Sequence, residues 1–154
     1  MLIGGEIPST RIPLVESDIT LSQLHSTLQI VMGWTNSHLH QFTMHKRKQA
    51  DRVKLGDLIS LPGSTLLYEY DFGDGWEHEL LLEEILNADK PFQRCCVAGA
   101  RRCPPEDCGG PYGFRDLLDA LNDRSHPEHE SLCEWLADDF ATGNDSDGFE
   151  GLFR

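Results

Sequence analysis

The sequence contains no apolar run of the roughly 18 to 20 residues that cross a bilayer. Its first segment, Met1 to Thr10, has neither the basic start nor the apolar middle of an export signal. Positive charge is also scarce, since 13 Lys and Arg stand against 26 Asp and Glu, for a net charge of −13. That charge repels a phosphate backbone. We therefore expect no membrane association and no unaided, non-specific binding of DNA or RNA.

Internal repeats, low-complexity linkers and the cysteine framework of a small disulfide-rich domain are absent as well. A chain of 154 residues has the usual size of one domain and can bury a core without metal or disulfide support. We therefore expect a single domain over residues 1–154. Five cysteines, an odd number, favour a reducing compartment, and the predicted location is the cytoplasm.

The residue patterns that are present predict an α+β domain: a mixed, mostly antiparallel sheet with a central hairpin, flanked by helices. The clearest helix signal is a capping box formed by Thr20 and Gln23, with Gly33 as the stop. The Cys-, Pro- and Gly-rich stretch 91–111 is predicted to be an irregular loop. The other predicted elements are a strand over 11–15, a strand over 38–45, a short helix over 54–60, a helix over 112–122 and a last helix opened by Pro127.

The central hairpin is predicted from two alternating runs that Gly73, Asp74 and Gly75 interrupt. A two-residue turn at Asp74-Gly75 would place Asp71 opposite His78 and Tyr70 opposite Glu79. A bulge at Gly73 would shift that register.

Three motifs resemble a known family: GWTNSHLHQF (Gly33 to Phe42), YEYDFGDGWEHEL (Tyr68 to Leu80) and CPPEDCGGPYGF (Cys103 to Phe114). In this order they resemble the plasmid pRiA4b ORF-3-like protein family, over about residues 11–149. The resemblance implies a compact α+β fold in bacterial, archaeal and mobile-element proteins, and it implies no settled reaction. Some relatives are labelled resolvase-like, but recombination needs several arginines around a nucleophile, and this sequence shows no such set.

The cysteines of the 91–111 stretch suggest a zinc site. Cys96, Cys103 and Cys108, with Cys95 adjacent, offer three or four thiolates, and His126 or His129 could complete a tetrahedral set. The spacing lacks the C-x2-C pairs typical of zinc knuckles, so unligated thiols are the alternative.

A second set of polar residues suggests acid–base or divalent-metal chemistry. Asp71 and His78 lie on the predicted hairpin, and Glu106 and Asp107 lie in the Pro-Pro loop that precedes a helix. If these four side chains converge, they are the candidate catalytic residues of a metal-dependent hydrolase or nuclease. The alternative is that they stabilise turns and cap backbone amides.

Because no complete catalytic set is evident, the leading hypothesis is a non-enzymatic protein-binding or adaptor module with an acidic surface. We expect its partner to be a protein, bound in a groove beside the hairpin; one version is an acidic face that mimics nucleic acid. The residues expected to contact the partner are Tyr70, Asp74, Trp76 and Tyr112. His38 and His40 are spaced to chelate a metal on one strand face, but Phe42 and Met44 share that face, which favours two core histidines.

Overall fold

The computed structural model describes residues 10–87, 94–100 and 103–142, and for Thr10 and residues 138–142 it describes the backbone alone. Its elements in chain order are β1 (Thr10–Leu14), α1 (Leu21–Met32), β2 (His40–Met44), β3 (Arg47–Gln49), α2 (Leu55–Leu58), β4 (Thr65–Tyr70), β5 (Trp76–Leu81), β6 (Cys95–Ala100), α3 (Gly110–Asn122) and α4 (His129–Thr142). The predicted α+β fold is confirmed. No helix in these ranges is long and apolar enough to span a bilayer.

Two antiparallel sheets hold the described strands. One has four strands in the order β3-β2-β4-β5, and the other pairs β1 with β6. The register of β1 with β6 shifts between Ile12 and Pro13, and proline cannot donate to a strand ladder. The prediction that 91–111 is wholly irregular is wrong, because Cys95–Ala100 is a strand. All six residues of this strand are exposed, so its sequence has no alternation of apolar and polar residues. The strand forms because its backbone pairs with β1, which lies far away in the sequence.

Helix α1 begins and ends as predicted. The Thr20 side chain accepts from the Gln23 amide and the Gln23 side chain accepts from the Thr20 amide, while Gly33 closes the helix in the left-handed region at φ 75°. The main core lies between this helix and the four-stranded sheet, and its largest fully buried members are Leu21, Phe42, Leu66, Tyr68 and Tyr70.

A second, smaller core lies between α3 and α4 around Leu117, Leu121 and Leu136. Cys108 and Phe114 pack against both cores. The helix pair is therefore joined to the sheet through the chain that precedes and opens α3, and loops from both parts meet at that junction.

The hairpin does not form the two-residue turn at Asp74-Gly75, and its register is shifted, as the second alternative allowed. Tyr70 pairs with Trp76 and Tyr68 with His78, so the turn spans residues 71–75. Asp71 adopts φ 53°, its Oδ1 accepts from the amides of Gly73 at 3.0 Å and Asp74 at 3.4 Å, and its carbonyl accepts from the Gly75 amide at 2.6 Å. This local bonding favours the longer turn over the two-residue alternative.

Candidate functional site

Three loops meet at the end of the sheet where β2 begins and β4 ends. They follow α1 (33–39), join β4 to β5 (71–75) and precede α3 (103–109). The Trp34 indole Nε1 donates to the Pro104 carbonyl at 2.9 Å, and the Gly109 amide donates to Asp74 Oδ2 at 3.2 Å. The Asp71 amide donates to the Leu39 carbonyl at 2.9 Å. These bonds hold together segments that are far apart in sequence.

His38, Asp71 and Asp107 converge at this junction. The distance is 3.6 Å from His38 Nδ1 to Asp71 Oδ2 and 3.1 Å from His38 Nε2 to Asp107 Oδ1. One possible ligand atom from each residue lies within 4.8 Å of the other two, and no other such group occurs in the described ranges. We call this group the His38 cluster. The side chains of His38 and Asp107 are 27% and 71% exposed, so solvent reaches the cluster.

Glu106 does not join the His38 cluster, although it is adjacent to Asp107. Its Oε1 accepts from the Tyr70 hydroxyl at 2.5 Å, and its Oε2 accepts from the Thr35 amide at 2.8 Å and the Thr35 hydroxyl at 2.6 Å. Burial and this bond to Glu106 raise the pKa of Tyr70, which keeps the phenol protonated as the donor. Glu106 therefore joins the loop after α1 to the sheet.

A buried polar network lies beneath the loops. The Tyr68 hydroxyl is 2.8 Å from His25 Nδ1 and accepts from Gln29 Nε2 at 3.0 Å. His25 Nε2 is 2.7 Å from Asn36 Oδ1, and the Gln29 side chain accepts from the Asn36 amide at 2.9 Å. Burial raises the pKa of Tyr68 to about 12. Because its members are hydrogen-bonded to one another, this network stabilises the core rather than presenting a reactive group.

His78 lies apart from the predicted catalytic partners. It faces Tyr68 across the hairpin, and its ring centroid is 5.5 Å from that of Trp34. Burial lowers the pKa of His78 to about 4, and its Nε2 is buried without a hydrogen-bond partner. Of the four predicted catalytic residues, only Asp71 and Asp107 come together, and their partner is His38.

The predicted contact residues of the hairpin groove are largely internal. Tyr70 is 0% exposed and Trp76 is 7% exposed, so a partner cannot reach them on the folded surface. Asp74 accepts from the Gly109 amide. Tyr112 is 77% exposed and is the one member of the four with a large accessible ring.

The cysteines predicted to bind zinc do not converge. Cys96 Sγ is 3.2 Å from the Ala98 carbonyl on exposed β6, whereas Cys103 is buried with its Sγ 3.2 Å from Met32 Sδ. Burial, then the nearby Asp74 carboxylate, raises the pKa of Cys108 to about 12, which disfavours the thiolate that zinc requires. The two histidines suggested to complete the set bond elsewhere: His126 Nδ1 accepts from the Glu128 amide, and His129 Nδ1 is 3.0 Å from the Ala120 carbonyl.

An open groove of about 650 Å³ lies between α3 and α4, and we call it the α3–α4 groove. Its floor includes the buried Leu117 and Ala120, with Leu132 and the 38% exposed Trp135 beside them. Its rim carries four exposed carboxylate residues: Asp107, Asp116, Asp119 and Glu128. No Lys or Arg is among the described residues that line it. The groove thus combines an apolar floor with a rim of one charge sign.

The fold and these loops define a compact α+β domain with antiparallel sheets. Residues 2–148 match the family described as plasmid pRiA4b ORF-3-like protein, and the chain belongs to that family. It is 38% identical over 136 residues to uncharacterized protein y4hQ of Sinorhizobium fredii (strain NBRC 101917 / NGR234), covering 79% of this chain and 70% of the relative. The crystal structure of protein of unknown function MM3350 from Methanosarcina mazei Go1 is similar at a TM-score of 0.74 and 33% identity, over 88% of this chain and 85% of that one.

Sequence reasoning did not place His38 in a site. The prediction that His38 and His40 are satisfied core residues is wrong, because His38 is partly exposed between two carboxylates and His40 has a buried Nε2 without a hydrogen-bond partner. His40 stacks on His25 with ring centroids 3.6 Å apart and is 3.6 Å from Asp51 Oδ1. The signal that could have separated them is the polar run Thr35 to His38, which ends before β2 begins at His40.

Proposed function

We propose that this protein is a binding module that takes a basic, amphipathic segment of another protein in the α3–α4 groove. The observation that carries the proposal is the combination of four rim carboxylates with an apolar floor; the described lining residues include His126 but no Lys or Arg. Grooves between helices receive amphipathic helical segments through their apolar face. The acidic rim selects a segment whose other face carries Lys or Arg.

The charge of the whole chain supports the same class of partner. A net charge of −13 attracts a cationic segment over distances up to about the Debye length, roughly 8 Å at physiological salt. The same field disfavours binding to nucleic acid. The floor then supplies the short-range part of recognition, since half-exposed Trp135 has a large ring to cover.

The dispersal of the predicted catalytic set also favours a module over the hydrolase or nuclease alternative. Glu106 binds Thr35 and Tyr70, and His78 is packed against aromatic rings. Neither side chain is placed to act on a substrate held at Asp71. A cytoplasmic location stays part of the proposal, and it is consistent with five cysteines of which none forms a disulfide.

The experiment is selection of peptides from a random display library on the immobilised full chain at physiological salt, followed by anisotropy titration of the selected peptides. We expect enrichment of Lys and Arg interleaved with apolar residues at helical spacing. The test variant is Asp116→Asn with Asp119→Asn, both on the groove rim. The matched control is Glu83→Gln with Glu84→Gln, which changes the net charge equally at exposed positions outside the groove lining.

Removing two rim charges should weaken peptide binding about two- to thirtyfold, since an exposed ion pair contributes about 0.2 to 1 kcal/mol. Trp135→Ala should weaken it about tenfold, because an aromatic anchor on the floor is lost. The Glu83 and Glu84 control should bind nearly as the natural chain does. Equal weakening in both double variants would mean diffuse attraction to an acidic protein and would refute the groove, as would selection of peptides without basic residues.

A further inference from the structure

We propose that the His38 cluster is a binding site for one divalent transition-metal cation, held by His38, Asp71 and Asp107. The cluster lies where the three loops meet, and only Asp107 is shared with the α3–α4 groove. The inference is separate from the proposed peptide binding, because the ligand is a metal ion and His38 and Asp71 are not among the groove residues.

The donor atoms are spaced for a shared ligand. Donors bound to one ion at about 2.1 Å lie roughly 3 to 3.5 Å apart. The 3.1 Å separation of His38 Nε2 and Asp107 Oδ1 falls in that range, and the three donors lie within 4.8 Å of one another. Asp107 is 71% exposed, so its side chain can rotate to follow an ion placed between Asp71 and His38 without repacking the core.

Asp71 is held in place before any ligand arrives. It is 8% exposed, and its Oδ1 accepts from the amides of Gly73 and Asp74. Oδ2 is then the oxygen that faces His38, at 3.6 Å from Nδ1. A carboxylate with one oxygen bonded to the backbone and the other directed at an imidazole is positioned by the fold, which reduces the cost of ordering a ligand on binding.

The His38 ring has a nitrogen without a hydrogen-bond partner, and a bound cation would give that nitrogen a partner. Its Nε2 is buried and has no hydrogen-bond partner, even though Asp107 Oδ1 is 3.1 Å away. His40 and His78 also have a buried Nε2 without a partner. His40 has one carboxylate, at 3.6 Å, whereas one ligand atom each of His38, Asp71 and Asp107 lie within 4.8 Å of one another. A buried polar atom without a partner calls for a specific ligand such as an ion.

The donor types select the kind of metal. One imidazole nitrogen with two carboxylate oxygens suits Mn²⁺ or Zn²⁺ better than Mg²⁺ or Ca²⁺, which prefer oxygen ligands alone. Three protein ligands leave at least one coordination position for water or a ligand. The competing interpretation is that His38 contacts the two carboxylates directly and no metal binds.

Mn²⁺ is the probe of choice because it binds thiols weakly, and Cys95 and Cys96 are exposed and adjacent. The full chain is stripped with chelator and titrated with Mn²⁺ while the electron paramagnetic resonance signal of free Mn²⁺ is followed. We expect one site per chain. His38→Gln and Asp107→Asn should each weaken it at least tenfold, as expected for loss of a ligand. The matched control Asp119→Asn, a groove carboxylate outside the cluster, should change it less than twofold.

Circular dichroism and urea unfolding of each variant distinguish the loss of a metal ligand from the loss of the fold. Asp107→Asn is the variant that should disturb the fold least, because Asp107 is exposed. The proposal is overturned if Mn²⁺ binds His38→Gln as it binds the natural chain, or if Asp119→Asn weakens binding as much as Asp107→Asn. It is also overturned if neither Mn²⁺ nor, in a Cys95→Ser, Cys96→Ser background, Zn²⁺ binds below about 1 mM. The peptide selection is run with chelator, so either proposal can fail alone.

Discussion

His78 should make the folded state sensitive to acid. Burial lowers its pKa to about 4, whereas an unfolded histidine titrates near pH 6.5, about 2.5 pH units higher. The folded state therefore holds the neutral ring, and the unfolded state takes up a proton first as the pH falls. Stability is fully present above about pH 6.5 and is lost as the pH falls from 6.5 to 4.

The magnitude follows from the two pKa values. The complete loss is about 3 kcal/mol, and linkage places about 2 kcal/mol of it between pH 7 and pH 5. His40 contributes in the same direction, since burial and the neighbouring His25 lower its pKa. A comparison of variants is therefore needed to isolate the part that belongs to His78.

The assay is urea unfolding of the natural chain and of His78→Gln at several values between pH 7 and pH 5. The variant carries no titrating ring at this position, so its loss of unfolding free energy over that range should be smaller by about 2 kcal/mol. His45→Asn is the control, because His45 lies in an exposed turn at φ 48° that Asn tolerates. Parallel pH curves for the natural chain and His78→Gln would refute the reasoning.

Two further substitutions test how the loops are joined. Glu106→Gln should lower the unfolding free energy by about 1 to 3 kcal/mol, because its amide cannot accept from both Thr35 and Tyr70 as the carboxylate does. Urea unfolding measures the loss, and an unchanged midpoint would contradict the role of Glu106. Gly110→Ala should cost at least about 2 kcal/mol, since its Cβ would lie 2.2 Å from the Asp74 carbonyl oxygen. Gly63→Ala is its matched control, with φ 89° and nothing within 4 Å, and equal losses would remove the steric argument.

The elements that sequence predicted well are those set by local chemistry. The limits of α1 follow from a side chain that caps at Thr20 and a left-handed residue at Gly33, both within a few residues of the bonds they make. The alternation of Leu66, Tyr68 and Tyr70 likewise predicts which face of β4 is buried. Caps and alternating patterns involve residues within one turn or one strand, so they can be predicted from a single sequence.

The elements that sequence missed depend on contacts between distant segments. Strand β6 exists because its backbone pairs with β1, more than 80 residues earlier, and its composition of small residues and cysteines carries no strand pattern. The hairpin register depends on whether Asp71 turns into the left-handed region. Both alternatives are compatible with the same Gly-Asp-Gly run, and the side-chain bonds of Asp71 decide between them.

The candidate site shows the same limit at the scale of single residues. Glu106 and Asp107 are adjacent acidic residues, and nothing in the sequence predicts that their side chains have different roles. In the structure Asp107 adopts φ 57°, and its carboxylate lies beside His38 while that of Glu106 binds Thr35 and Tyr70. Backbone geometry, rather than residue type, therefore separates the structural carboxylate from the solvent-accessible one. Because side chains other than those of Asn and Asp adopt this left-handed backbone geometry at a cost, the acidic residue at position 107 serves both the turn and the cluster.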